Sequence, residues 1–205
     1  MTHEMKFHVI CEGSTDQIIL EKIMKIVLKD SPEFIEPSNT QTKNRGVSSI
    51  LKKEKLFLFL HYSFLQRANF IIICVDNDDD PIVNGCPVRY NNIKSYYNEF
   101  SNKYSESYNH RPSNCVIIPV KTIDYWVYAG KMQNAGPGTL RGIENLPKVG
   151  IKEKVYGKDN VMPFGINPSA LQEILNYAIT RTTIENNLKH LNSFLKFYNL
   201  LMRLN

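Results

Sequence analysis

The sequence predicts an α/β protein built on a parallel sheet flanked by helices, with a small helical C-terminal part. Three observations predict it. Apolar runs of strand length alternate with stretches of helical periodicity across 6–129, the pattern of parallel strands joined by crossover helices. The run Phe70-Ile71-Ile72-Ile73-Cys74-Val75 is apolar throughout, as in a strand buried on both faces. It leads directly into Asp76-Asn77-Asp78-Asp79-Asp80-Pro81. These acids therefore fall just past the carboxyl end of a buried strand, where open α/β sheets place their sites.

The 205 residues suit one domain with a sizeable core. At 42% hydrophobic and 22% charged the composition is that of an ordinary soluble globular protein. The net charge of +5 permits a polyanionic partner without demanding one. Charges of both signs are mixed along the chain, so no basic tail binds nucleic acid by itself. The N-terminus, Met1-Thr2-His3-Glu4-Met5-Lys6, does not read as a signal peptide. No apolar stretch approaches the roughly 20 residues of a membrane span, so no membrane is expected. Cys11, Cys74, Cys86 and Cys115 show no CxxC spacing. A reducing cytoplasm is expected from this, and a zinc site is not.

Taken in order, Lys6 to Cys11 is a first strand. It ends in Glu12-Gly13-Ser14-Thr15-Asp16-Gln17, where Ser14 and Gln17 have capping-box spacing and Asp16 suits a helix N-terminus. The helix runs over 15–29, with Ile19, Leu20, Ile23, Met24, Val27 and Leu28 on its apolar face. Asp30-Ser31-Pro32 stops it. Position alone leaves Glu12 open between a turn carboxylate and a site acid.

Phe34-Ile35 forms a short second strand. Residues 37–46 are a polar surface loop in which Lys43 and Arg45 suit either phosphate contacts or solvent. A helix is expected over 48–67, with His61 as a packed or partly exposed residue. The central strand and its acids follow, then a loop over 81–90 and a helix over 92–104. Tyrosines are plentiful over 90–108. Base stacking would use them, but a core face is the commoner use of that spacing.

Residues 114–120 read as another strand, with Pro119 at its edge or end. A helix then begins within Lys121-Thr122-Ile123-Asp124-Tyr125-Trp126. Lys121 and Asp124 are expected at the same sheet edge as Glu12 and Asp76, and Trp126 as a core anchor. Residues 130–150 form a Gly- and Pro-rich loop, 148–156 a short helix, and Ser169 opens another. A last helix carries Ile184, Leu188, Leu191, Leu195, Tyr198 and Met202 at heptad-like spacing. That spacing fits packing back on the domain and also fits a homodimer. The expected organisation is an α/β domain over 1–132 with a Rossmann-like sheet. A loop and C-terminal helices over 133–205 pack on it.

Glu12-Gly-x-Thr-Asp16 after one strand and Asp76-x-Asp78 after another resemble the Toprim pattern. In Toprim domains a strand-end Glu and a strand-end Asp-x-Asp lie side by side and bind magnesium. Topoisomerases, bacterial primases, OLD-type nucleases and small ribonucleolytic maturases share the pattern. The segment Ile118-Pro-Val-Lys121-Thr-Ile-Asp124-Tyr-Trp126 resembles the small stand-alone Toprim-like proteins of bacterial defence and mobile loci. So do Asn145-Leu-Pro147-Lys148 and Ser193-Phe194-Leu-Lys-Phe197-Tyr198. The group carries Glu where this chain has Asp124. Asp is one methylene shorter, which leaves direct and water-bridged metal contact both open.

The resemblance implies a magnesium- or manganese-dependent nuclease acting on RNA or DNA, an effector of antiphage defence. Glu12, Asp76, Asp78, Asp80 and Asp124 are the implied metal residues. Magnesium takes few protein carboxylates and prefers phosphate oxygens for much of the rest. Glu12 would alternatively serve as general base, and Lys121 would neutralise developing phosphate charge. Lys43, Arg45 and Lys148 are candidate substrate contacts. No tyrosine is placed as a topoisomerase nucleophile, and the chain lacks topoisomerase gate domains and a primase zinc domain. The alternative is a non-catalytic Toprim module that binds nucleic acid or a partner ATPase. A small-ligand domain is disfavoured, because Gly13 stands without a GxGxxG or Walker pattern.

Overall fold

The computed structural model describes residues 5–29, 31–38, 50–77, 80–83, 86–117, 121–163 and 165–204, without the side chains of 114–117. The chain divides into two compact units. One comprises Met1–Gly13 and Asp30–Ile118, the other Ser14–Lys29 and Pro119–Asn205. This differs from the expected boundary at 132. The first helix and the segment from 119 onward belong with the C-terminal helices.

The first unit is a parallel sheet with helices on one face. Its strands are β1 (Lys6–Cys11), β2 (Glu33–Phe34), β3 (Phe70–Cys74) and β6 (Ser113–Ile117), in spatial order β2-β1-β3-β6. All three pairings are parallel. β1 begins and ends where its apolar run does. Cys11 pairs with Cys74, and Cys74 with Ile117, so the three longer strands end level.

Between β2 and β3 lies α2 (Lys53–Leu65), and between β3 and β6 a hairpin of β4 (Ile82–Val83) and β5 (Cys86–Pro87) leads into α3 (Val88–Tyr108). Ile10, Ile71, Ile73 and Val75 of the sheet pack with Leu56, Phe59, Leu60 and Phe64 of α2. Ile93, Tyr97 and Phe100 of α3 complete that core. Four of the five tyrosines over 90–108, Tyr96, Tyr97, Tyr104 and Tyr108, are used in this packing. Tyr97 is buried, and Tyr104 and Tyr108 ring His61 together with Phe100. His61 Nδ1 lies 2.6 Å from the Tyr108 hydroxyl, and burial lowers its affinity for a proton. His8 sits fully buried in β1 with Nδ1 2.6 Å from Ser63 Oγ, so β1 carries one polar side chain within its apolar run.

Both ends of the helical layer close with a residue in the left-handed region. Arg67 (φ 54°) ends α2 and Asn109 (φ 45°) ends α3. Each follows the Schellman pattern. Ala68 N–H donates to Ser63 and Arg67 N–H to Phe64, and His110 and Asn109 repeat this with Ser105 and Glu106.

The second unit is helical. It contains α1 (Ser14–Val27), α4 (Asp124–Lys131), α5 (Pro137–Gly142), α6 (Ile151–Tyr156), α7 (Pro168–Ala178), α8 (Arg181–Asn186) and α9 (Asn192–Met202). A two-stranded hairpin, β7 (Val161–Met162) and β8 (Gly165–Ile166), precedes α7. α1 buries Ile19, Leu20, Ile23, Met24 and Val27 and packs with α9. α4 is the centre of this unit: Tyr125, Trp126, Val127, Ala129 and Gly130 are all buried. A Cβ on Gly130 would lie 1.9 Å from the Ala178 carbonyl oxygen, so only glycine lets α4 approach α7 this closely.

Two expectations for this unit are corrected. Residues 130–150 are not simply a loop, since they hold α5 and a 3-10 turn at Ile143–Asn145. Gly136 and Pro137 occupy its N-cap and first position, where both residues favour a helix start. The heptad-like run is not one helix. It breaks into α8, a 3-10 turn at Leu188–His190 and α9, with Leu191 extended. The break has a cause: the buried Asn187 amide donates to the Ala129 and Met132 carbonyls, 2.9 Å each, satisfying the C-terminus of α4. A regular coiled-coil seam along 184–202 is therefore lost.

Candidate functional site

Level strand ends bring two of the expected acids together. Glu12 follows β1 directly and Asp76 lies two residues past β3. The Asp76 amide donates to Glu12 Oε1 at 2.7 Å. Both residues are partly buried. The Cys11 thiol donates to the Gly13 carbonyl at 3.1 Å, fixing the turn that carries Glu12.

Asn77 adds an unexpected feature. Its side-chain Oδ1 is buried and, among the described residues, has no hydrogen-bond partner. An orphaned buried oxygen costs about 1–3 kcal/mol unless something binds it. Glu12, Asp76 and Asn77 together offer hard oxygen donors of the kind magnesium or manganese prefers. On that ground the residues present fit a hard divalent cation. Among the described residues, however, no group of three or more His, Cys, Asp or Glu side chains is placed to hold a metal ion. Asp78 lies outside the described residues, as do Lys43 and Arg45.

Asp80 takes a different partner. Its Oδ2 accepts the Arg89 amide at 2.7 Å, and its Oδ1 lies 3.7 Å from Arg89 Nε. Arg89 Nη1 also donates to the Asp76 main-chain carbonyl at 2.5 Å. Part of the acidic cluster's repulsion is therefore offset by a guanidinium. The sequence reading passed over Arg89. The usable signal was the need for a positive charge, because Arg89 is the first basic residue after the acids.

Lys121 and Asp124 belong to the second unit. Lys121 Nζ donates to the Leu146 carbonyl at 3.2 Å, and the Tyr125 hydroxyl donates to the same oxygen at 2.7 Å. Asp124 is 1% exposed. Its Oδ1 accepts the Tyr156 hydroxyl at 2.8 Å and its Oδ2 the Thr122 hydroxyl at 3.0 Å. Burial, then the neighbouring Asp124 charge, pushes the Tyr156 phenol far above its ordinary range. The phenol stays protonated and remains a donor. Lys148 is partly buried and lines an open cavity of about 220 Å³ with Lys152 and Val161.

The second unit also contains a buried carboxylate that sequence reasoning missed. Glu144 is 4% exposed. It accepts the Asn192 amide at 3.0 Å, the Ser193 amide at 3.2 Å and the Ser193 hydroxyl. It thereby caps the N-terminus of α9, where a negative charge is favoured. Trp126 Nε1 donates to Ser193 Oγ at 2.8 Å, and its ring packs against Phe194 and Phe197. Trp126 is thus the core anchor of this unit. No helix of the described residues is long and apolar enough to cross a membrane. A scan against protein-family models, a search of curated proteins and a search of solved structures each found no match.

Proposed function

We propose that this protein is a magnesium- or manganese-dependent nuclease that hydrolyses phosphodiester bonds of RNA or DNA. A role as an effector of bacterial antiphage defence is part of the proposal, and rests on the sequence resemblance. The observation that carries the reading is the Glu12 carboxylate 2.7 Å from the Asp76 amide, at the level ends of two parallel strands. It supports the reading by setting Glu12 beside the strand end that carries Asp76.

Glu12, Asp76 and Asn77 are the residues that would hold the cation, joined by Asp78. When bound, the cation supplies Lewis-acid stabilisation of phosphate charge. Glu12 is also the proposed proton acceptor from an attacking water, since a carboxylate beside an oxygen-rich edge can accept a proton without rearrangement. Lys43 and Arg45 are the proposed phosphate contacts. The second reading is a non-catalytic module that binds nucleic acid or a partner ATPase. It is favoured by one observation: both oxygens of Asp124 are already engaged by hydroxyl donors, which removes one of the expected metal residues.

The test incubates the protein with RNA and DNA, single- and double-stranded, with Mg2+, Mn2+ or EDTA. Cleavage by wild type that EDTA abolishes, and that Glu12→Gln and Asp76→Asn each lose by on the order of 10²-fold or more, is the expected result. Nucleic-acid binding without cleavage in any metal would transfer the assignment to the non-catalytic reading.

A further inference from the structure

We infer that Arg89 is a positioning residue: it holds the Asp76 carbonyl and the Asp80 carboxylate and thereby sets how tightly the Glu12–Asp76 edge takes a divalent cation. The inference rests on the cation reading above.

Arg89 is the second residue of α3, a helix of 21 residues whose Ile93, Tyr97 and Phe100 are locked into the sheet core. It is therefore mounted on a rigid element, the condition for holding a site to a narrow geometry. Its contacts include three to Asp76 and Asp80. The guanidinium reaches the Asp76 carbonyl and the Asp80 carboxylate, and the backbone amide reaches Asp80 again. Its side chain is only 19% exposed and that of Asp80 12%, so the ion pair is shielded from screening. Asp76 is consequently tied through both backbone groups, its N–H to Glu12 and its C=O to Arg89. The N–H lies in the peptide before the Asp76 Cα and the C=O in the peptide after it, so releasing the carbonyl frees one of the two peptides that flank the residue anchoring Glu12.

Two effects of Arg89 on cation binding oppose each other. Its positive charge repels a cation by Coulomb's law. Its fork holds the ligands in place, and groups that orient metal ligands are worth on the order of 10–100-fold in affinity. The inference is that orientation outweighs repulsion. Arg89→Lys keeps the charge but loses the planar fork, and Arg89→Gln loses both. The two roles therefore predict different orders of affinity.

The experiment titrates full-length wild type, Arg89→Lys and Arg89→Gln with MnCl2 by calorimetry. It also follows exchange of the Asp76 amide by NMR without metal. Thermal melting of each variant is the fold control, and Arg89→Lys serves if Arg89→Gln does not fold. Expected are 10–100-fold weaker Mn2+ binding in both variants and faster Asp76 exchange in both. Tighter binding by Arg89→Gln, or wild-type affinity in Arg89→Lys, would overturn the inference in favour of a plain counter-charge. Wild type that takes no Mn2+ would sink the cation reading itself. The exchange data then judge the clamp alone: unchanged Asp76 exchange overturns it, and faster exchange upholds it as a clamp on the Glu12 contact.

Discussion

Glu12 and Asp76 in one unit, and Asp124 and Glu144 in the other, are carboxylates set in or beside buried segments, but their surroundings differ. The second pair is almost fully buried, and every carboxylate oxygen accepts a donor from its own unit. The donors are fixed: two hydroxyls for Asp124, and a helix N-terminus with Ser193 for Glu144. The first pair is partly buried, sits at strand ends, and is followed by Asn77, whose buried Oδ1 has no hydrogen-bond partner among the described residues. A buried carboxylate with a complete set of donors is a structural fastener, because removing it orphans those donors. A half-buried carboxylate at a strand end is where the proposed cation would sit. Burial alone would have ranked the four in the opposite order of functional interest.

That contrast can be broken most forcefully at Glu144. Glu144→Ala strips the cap from α9 and leaves the Ser193 hydroxyl and two amides without their acceptor. It should cost about 3 kcal/mol of unfolding free energy in urea. A loss below about 1 kcal/mol would show that Glu144 is not a fastener.

Alkaline titration sharpens the same side of the comparison. The Tyr156 phenol is raised above the ordinary tyrosine range by burial first and by Asp124 second. In the folded state it keeps its proton at pH values where the unfolded chain loses it. The folded state then binds more protons, so stability falls as pH rises. The contribution is fully present below about pH 10 and declines above it. Tyr156→Phe should be less stable at neutral pH, yet should lose less stability than wild type between pH 9.5 and about 11. Parallel curves would deny the buried pair its role.

On the other side, thermal melting in Mg2+ tests the partly buried pair. A cation at roughly a hundred times its dissociation constant should stabilise wild type by about 2.7 kcal/mol. Asp76→Asn should melt at or slightly above wild type without metal, since like-charge repulsion is relieved, and should gain nothing from Mg2+. Loss of stability in metal-free Asp76→Asn comparable to that of Glu144→Ala would erase the distinction between the two pairs.

The smallest expected effect is a control that touches neither pair. Arg67 ends α2 in the left-handed region, which costs a non-glycine residue about 1–2 kcal/mol. Arg67→Gly should raise stability by about 0.5–1 kcal/mol, the gain being reduced by the entropy of glycine in the unfolded chain. It should leave the Mg2+ response unchanged.

The parts of the molecule legible in the sequence were those fixed by short-range pattern. β1 was readable to the residue because its apolar run stops at Glu12. The position of the acids followed from the strand that delivers them. α3 was read as 92–104 but spans Val88–Tyr108. Its first turn follows a proline and its last is Ser- and Tyr-rich, so both ends resemble loop, while the true stop is the left-handed Asn109. The break at Asn187 was hidden because a regular apolar spacing crosses it. What interrupts the helix is a side chain serving the end of α4, and tertiary demand of that kind leaves no local trace. Arg89 was missed for a similar reason. Its partners lie 9 and 13 residues upstream across a hairpin, and no spacing rule links them. Glu144 was missed because its donors lie 48 and 49 residues away.

The assignment of α1 to the second unit has a consequence for how the chain is made. β1 and β2 flank a helix that belongs elsewhere, so neither unit is a continuous stretch and no single cut yields either one intact. On the ribosome α1 emerges early, but its partners emerge late: Lys22 meets Asn176 across a separation of 154 residues. At roughly 5–20 residues per second the buried face of α1 waits on the order of 8–30 s for its companions. During that interval Ile19, Leu20, Ile23 and Met24 are exposed on a nascent chain, a period in which a chaperone is the natural surrogate for the missing core.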